Sequence, residues 1–188
     1  MRGRVSRRHR TRKGIAFLPP WQKPRRVLIR NATADDWPAI WPFFHQIVAA
    51  GETFPYPLDL DEEQGRAMWL VPDPGRAVVA TDGTGTVLGT ANMYANRSGN
   101  GSHIASASYM VDPLHQGRGV GRALCADSLA WARAAGFRAM VFNAVVETNL
   151  HAVRLYESLG FTVLGTVPDG FRHPEKGYVG LHMMHRPL

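Results

Sequence analysis

A chain of 188 residues with 45% hydrophobic content is long enough for one well-buried core and short for two, which predicts a single domain. No run of about eighteen apolar residues occurs, so a membrane-spanning helix is excluded on length, and Cys125, the sole cysteine, cannot form an internal disulfide. The formal charge of +7 is unevenly spread: residues 1–26 hold ten of the 22 Lys and Arg and no acid, leaving 12 basic residues against all 15 acidic ones, a net of −3.

Residues 1–26 therefore read as a basic extension that cannot bury enough apolar surface to offset its ordering entropy, expected to be disordered or loosely docked. Ser6-Arg7-Arg8 has the look of a twin-arginine export signal, but the apolar stretch after it, Gly14 to Leu18, is too short for a signal core before Pro19-Pro20. Export is not expected, and the protein is placed in the cytoplasm.

From Val27 the pattern is that of a mixed α/β domain spanning 27–188. Val27 to Arg30 reads as a strand, and Thr33-Ala-Asp-Asp36 has the spacing of a helix cap. Ile40, Phe44, Ile47 and Val48 then recur at helical spacing, despite Pro38 and Pro42. Gly51 to Pro57 interrupts with turn chemistry, and a second helix is predicted over Leu60 to Leu70. Ala77 to Thr81 and Val87 to Tyr94 are β-type runs around the turn Asp82 to Gly85. After a loop from Asn96 to Ser102, a strand is predicted over Ile104 to Val111. A helix from Gly119 to about Ala135 carries Leu124, Cys125, Ser128, Leu129 and Ala132 on one stripe, so Cys125 reads as a small buried hydrophobe. A strand over Ala139 to Val145, a helix over Asn149 to Leu159 and strands over Thr162 to Val167 and Tyr178 to His185 complete the order.

The most informative stretch is Val111-Asp-Pro-Leu-His-Gln116-Gly117-Arg118-Gly119-Val120-Gly121-Arg122, between a strand and an amphipathic helix. Glycines at a helix N-terminus let backbone approach a phosphate, and the unpaired N–H groups and dipole there favour negative charge. A Walker loop would need Gly-Lys-Ser/Thr, which is absent, and the dinucleotide pattern G-x-G-x-x-G fails because Arg122 stands at its last glycine. Gln116, Gly119 and Gly121 instead resemble the Q/R-x-x-G-x-G/A signature of the GNAT acyltransferases. Downstream, Asn149-Leu-His-Ala152-Val-Arg-Leu155-Tyr156-Glu-Ser-Leu-Gly160-Phe161 is similar to the family's N-x-x-A-x-x-L-Y-x-x-x-G-F segment, at a distance that fits the family order. The likeness runs, more weakly, from about Val27 to the C-terminus.

The resemblance implies a single GNAT domain, a mixed and mostly antiparallel sheet whose two central strands, Ile104 to Val111 and Ala139 to Val145, run parallel and splay apart between flanking helices. It implies acetyl-CoA as cosubstrate, held by Val111, Gln116 to Arg122 and Asn149, and acetyl transfer to a small-molecule amine in a ternary complex. Two residue roles follow. Tyr156 borders a buried helix face, where it is either core packing or the donor that protonates the departing thiolate. Asn149 is a natural helix N-cap, and its counterpart in relatives also touches the pantetheine arm.

For the base, Glu52 in Gly51-Glu-Thr-Phe stands where many small-molecule members place an acid between the first two helices; a solvated loop acid is the equal alternative, and His103 and His173 are other relays. Phe171 to Tyr178, Gly51 to Phe54 and Phe142-Asn143 look like a subgroup that includes the yeast enzyme acetylating proline analogues, which nominates Glu52, Ser106, Asn143 and His173 on the substrate side. That subgroup has Asn near Ser106, so the proline-analogue substrate is in question while acetyl transfer is not. No metal is expected, since His182 and His185 lie three apart on a strand and point to opposite faces. A homodimer is compatible with this reading. Three rivals stand beside it: an acyl-CoA-binding regulator without turnover, a protein or peptide acetyltransferase, and a nucleic-acid-associated protein anchored by residues 1–26.

Overall fold

The computed structural model describes residues 27–188. The basic stretch 1–26 lies outside them. The first strand, β1 (Leu28–Asn31), leads into the expected cap. The Asp36 carboxylate accepts from the Thr33 backbone N–H at 2.8 Å and from the Arg30 guanidinium at 2.6 Å, and that guanidinium holds the Asp36 carboxyl down to about 2. A single 3₁₀ turn, Ala34–Asp36, precedes helix α1 (Trp37–Ala50). Pro38 falls in the first turn, where its missing N–H costs nothing, and Pro42 removes one ladder bond in the next.

Helix α2 (Glu62–Trp69) starts two residues later than the apolar pattern suggested, because Asp61 is its N-cap: the Gln64 N–H donates to Asp61 at 2.8 Å. Strands β2 (Arg76–Thr81), β3 (Val87–Ala95) and β4 (Ile104–Val111) form an antiparallel run with β1. Helix α3 (Val120–Ala134), strand β5 (Ala139–Val146) and helix α4 (Leu150–Ser158) follow, and β6 (Thr162–His173) and β7 (Gly177–Pro187) form the final hairpin.

The seven strands are ordered β1-β2-β3-β4-β5-β7-β6. One pair is parallel, β4 with β5, and it is joined only at Ile104 with Ala139 and Ala105 with Met140. Beyond these residues the strands separate, so the β5-facing backbone groups of Ser106 to Val111 have no strand partner.

The sheet is covered on both faces. On one, the α3 stripe Leu124, Cys125, Leu129 and Ala132 packs on Val78, Leu88, Ala91, Met93, Ala105 and Met140. Cys125 is fully buried there, and burial pushes its thiol up to about 11, so it is an inert core atom at neutral pH. On the other face, Trp37, Ile40, Phe44 and Val48 of α1 meet Trp69 of α2 and Val79 and Met110 of the sheet. The Trp69 indole N–H donates to Thr90 at 2.9 Å, which satisfies the polar atom this ring brings into the core.

Strand β6 runs six residues past its expected end at Val167. The ladder shifts register between Val167 and Phe171, and Asp169 takes a φ of 52°. Pro168 cannot donate to a ladder and so looks like a strand end, whereas here it sits in a bulge that lets pairing resume. Among the described residues no helix is long and apolar enough to cross a membrane, and no group of three or more His, Cys, Asp or Glu is placed to hold a metal ion.

Candidate active site

A cavity of about 990 Å³ passes through the gap between β4 and β5. Alternation along β4 divides it: Ala105, Ala107, Tyr109 and Val111 face the α3 and α4 side, while Met110 packs on the α1 and α2 side together with the intervening serines. One end of the cavity is the turn into α3 and the other is the segment after α1.

At the α3 end, Gly117 and Gly119 have φ of 74° and 77°, a left-handed conformation that a side chain would strain. Gly119 is the N-cap and brings no side-chain acceptor, so the N–H groups opening α3 have no side-chain partner. Gly121 has no such φ, and its protein neighbours leave room for a Cβ. A Cβ there would lie 3.4 Å from Leu155 and 3.7 Å from Val111, both cavity-lining. Arg122 and Arg154 also line this end, and Arg122 donates to the Ser158 hydroxyl at 2.7 Å. Unpaired N–H groups, a helix dipole and two guanidiniums suit a polyanion such as a pyrophosphate.

At the neck, Tyr156 lies among Phe142, Tyr109 and Phe161, with ring centroids 4.6, 6.0 and 6.0 Å away. Burial, with the Cys125 thiol adding to it, pushes its hydroxyl well above the usual tyrosine range. That hydroxyl makes no hydrogen bond to another described residue, and Tyr156 lines the cavity. Tyr109 differs: its hydroxyl is tied to Ser128 at 2.6 Å. Asn149 caps α4, accepting from the Ala152 N–H at 3.2 Å, and also lines the cavity.

At the α1 end, exposed Glu52 stands at the rim beside Phe54 and Tyr56. Tyr56 is raised by burial and by neighbouring Tyr94, against a hydrogen bond with Ser108. Asn143 sits on a β5 bulge and is locked to Asn96 by reciprocal amide bonds of 2.6 and 3.4 Å.

The sequence-nominated residues Val111, Gln116, Gly117, Gly119, Val120, Gly121, Arg122, Asn149, Tyr156, Glu52, Ser106 and Asn143 thus share one cavity. Three stand apart from its lining. The Arg118 side chain is exposed. His103 is exposed ahead of β4. His173 is buried in the β6–β7 hairpin, where its Nδ1 accepts from the backbone N–H groups of Glu175 and Lys176 at 3.2 and 3.3 Å. That nitrogen shapes a turn, and as a substrate contact His173 is not brought to the cavity. Sequence reasoning did not single out Arg154, Tyr94 or Ser108; the Ser106-x-Ser108 alternation in an otherwise apolar strand was the available signal.

The sequence profile described as the Acetyltransferase (GNAT) family matches residues 31–161. The chain belongs to this family. Solved GNAT relatives align over most of the described residues: a GCN5-related N-acetyltransferase from Kribbella flavida at 59% identity and TM-score 0.84, covering 86% of this chain and 98% of that one, and an acetyltransferase from Salmonella typhimurium, solved with its cofactor acetyl-CoA, at 27% identity and TM-score 0.72, covering 87% and 94%. The L-methionine sulfoximine/L-methionine sulfone acetyltransferase of Salmonella typhimurium is 36% identical over 96 residues, 50% of this chain and 56% of its own length. The chain spans about half the length of the curated relatives it matches first. This GNAT chain keeps the parallel β4–β5 pair within a mostly antiparallel sheet, as its motifs implied.

Proposed function

We propose that this GNAT protein transfers the acetyl group of acetyl-CoA to the amine of a small molecule, directly and within a ternary complex. The observation that carries this reading is the single cavity running from the α3 glycine turn, past the unpartnered Tyr156 hydroxyl and through the strand gap, to Glu52. Acetyl-CoA would supply an activated acetyl thioester. Its pyrophosphate suits the α3 N-terminus with Arg122 and Arg154, and the unpaired β4 backbone suits its amides and the thioester carbonyl.

The residues then have distinct tasks. Glu52 takes a proton from the substrate ammonium, since only the neutral amine carries the lone pair that forms the N–C bond. As the C–S bond breaks, Tyr156 donates its proton to the sulfur that leaves with the bonding pair, and the second proton that the acylated nitrogen gives up returns through water to the phenol. The products are an amide and a free thiol. With Cys125 buried and protonated, no activated thiol offers a covalent route. The experiment for this reading is acetyl-CoA consumption over a panel of metabolite amines with the full-length chain. Tight acetyl-CoA binding without turnover on any amine would favour a regulator.

Two outcomes follow from the residue roles. Glu52→Gln is expected to lower kcat/KM by roughly tenfold to a hundredfold at neutral pH and to recover toward wild type as alkaline pH deprotonates the amine without help. A pH profile of kcat/KM that is parallel to wild type would remove Glu52 as the base. A chain beginning at Val27 is expected to keep the catalytic efficiency of the full length, because every residue given a task above lies in 27–188. Loss of activity at low and high salt alike would place part of residues 1–26 in the substrate site.

A further inference from the structure

Resting on the acetyl-transfer reading above, we propose that the acceptor is a primary amine with an apolar or aromatic body and no carboxylate, so that this enzyme rejects free amino acids in favour of their decarboxylated counterparts. The acceptor half of the cavity is built for a cation and not for an anion. Among the described residues its one charged group is the Glu52 carboxylate, and its walls include Phe54, Tyr56 and Tyr94 with the Ser106 and Ser108 hydroxyls. Among the described residues lining the cavity, the guanidiniums are Arg122 and Arg154, which sit on α3 and α4 at the opposite end.

An ammonium entering this half meets a carboxylate and aromatic faces, both of which attract it. An α-carboxylate entering with it would be taken from water, placed near the like charge of Glu52 and left without a cationic partner among the described residues, which is a heavily penalised arrangement. Asn143 offers at most one neutral donor, since one of its two amide N–H groups donates to Asn96 Oδ1 at 2.6 Å, and it brings no positive charge. The Ser106 and Ser108 hydroxyls suit a neutral polar group on the substrate. In the reaction itself the amine nitrogen gains the acetyl group, Glu52 takes the proton of the ammonium, the second nitrogen proton returns through water to Tyr156, and the thiol departs with the proton that Tyr156 gave; no part of that balance uses a carboxylate on the substrate.

The test is a matched-pair assay on the full-length chain with acetyl-CoA: phenethylamine against phenylalanine, tryptamine against tryptophan, and 3-methylthiopropylamine against methionine, each with the corresponding amino-acid amide. The expected result is a kcat/KM at least tenfold higher for the amine, with the amide ranking beside the amine and above the acid. Basicity works against this outcome, since the free amino acid is the less basic member of each pair and has more neutral nitrogen. Equal or better use of the amino acids, as would occur if backbone N–H groups of the β5 bulge bound a carboxylate, overturns the substrate class while leaving acetyl transfer standing. Transfer to no member of any pair, with acetyl-CoA binding measured in parallel, overturns the small-amine reading together with this one.

Discussion

Gly121→Val is expected to abolish measurable acetyl-CoA binding while leaving a folded domain. The two halves of that expectation come from different features of one position. Gly121 is in the first turn of α3, where glycine is not required by conformation; its absence from the positive-φ glycines places it apart from Gly117 and Gly119. A side chain there is compatible with the helix, and replacing glycine also reduces the freedom of the unfolded chain. The first atom added would touch Leu155 at 3.4 Å and Val111 at 3.7 Å, which are ordinary van der Waals contacts. The two methyl groups of valine project further, into the space between α3 and α4 that a pyrophosphate needs to reach the helix N–H groups. Gly121→Ala is the graded control, expected to weaken binding less. Calorimetry checks both variants, with circular dichroism for the fold. Unchanged affinity in Gly121→Val would mean that phosphate does not pass this turn.

The legible and illegible parts of this molecule separate by distance along the chain. The α3 turn and its helix could be read because the consecutive residues from Gly117 to Cys125 carry both the glycines and the start of the apolar stripe, and the buried stripe is the one that spacing indicated. Tyr156 could be placed on a helix face bordering the core for the same local reason. The aromatic wall of the acceptor half could not. Phe54, Tyr56 and Tyr94 come from a turn and a strand far apart in sequence, and only the sheet order brings them together. The separation of β4 from β5 was likewise beyond periodicity, since both read as ordinary buried strands; the family resemblance supplied it. His173 shows the converse. A histidine before proline in a polar turn looks available for chemistry, yet the fold buries its ring and spends Nδ1 on two backbone donors.

Tyr156→Phe is expected to slow acetyl transfer by about a hundredfold with little change in stability or acetyl-CoA affinity. The ring and its contacts with Phe142, Tyr109 and Phe161 are kept. The hydroxyl has no partner among the described residues, so its removal leaves no core group unsatisfied. Only its proton is lost to the reaction. Because burial raises this phenol above the ordinary tyrosine value, it stays protonated through neutral and mildly alkaline pH. The wild-type rate should therefore show no alkaline fall from Tyr156 below about pH 10, the value of an unperturbed tyrosine. The phenol therefore holds its proton until charge develops on the leaving sulfur. Single-turnover measurement of the chemical step is needed, since slow product release would hide a real loss in kcat. If Tyr156→Phe keeps nearly all of its single-turnover rate, water protonates the thiolate unaided, and Tyr156 is a packing residue at the neck of the cavity.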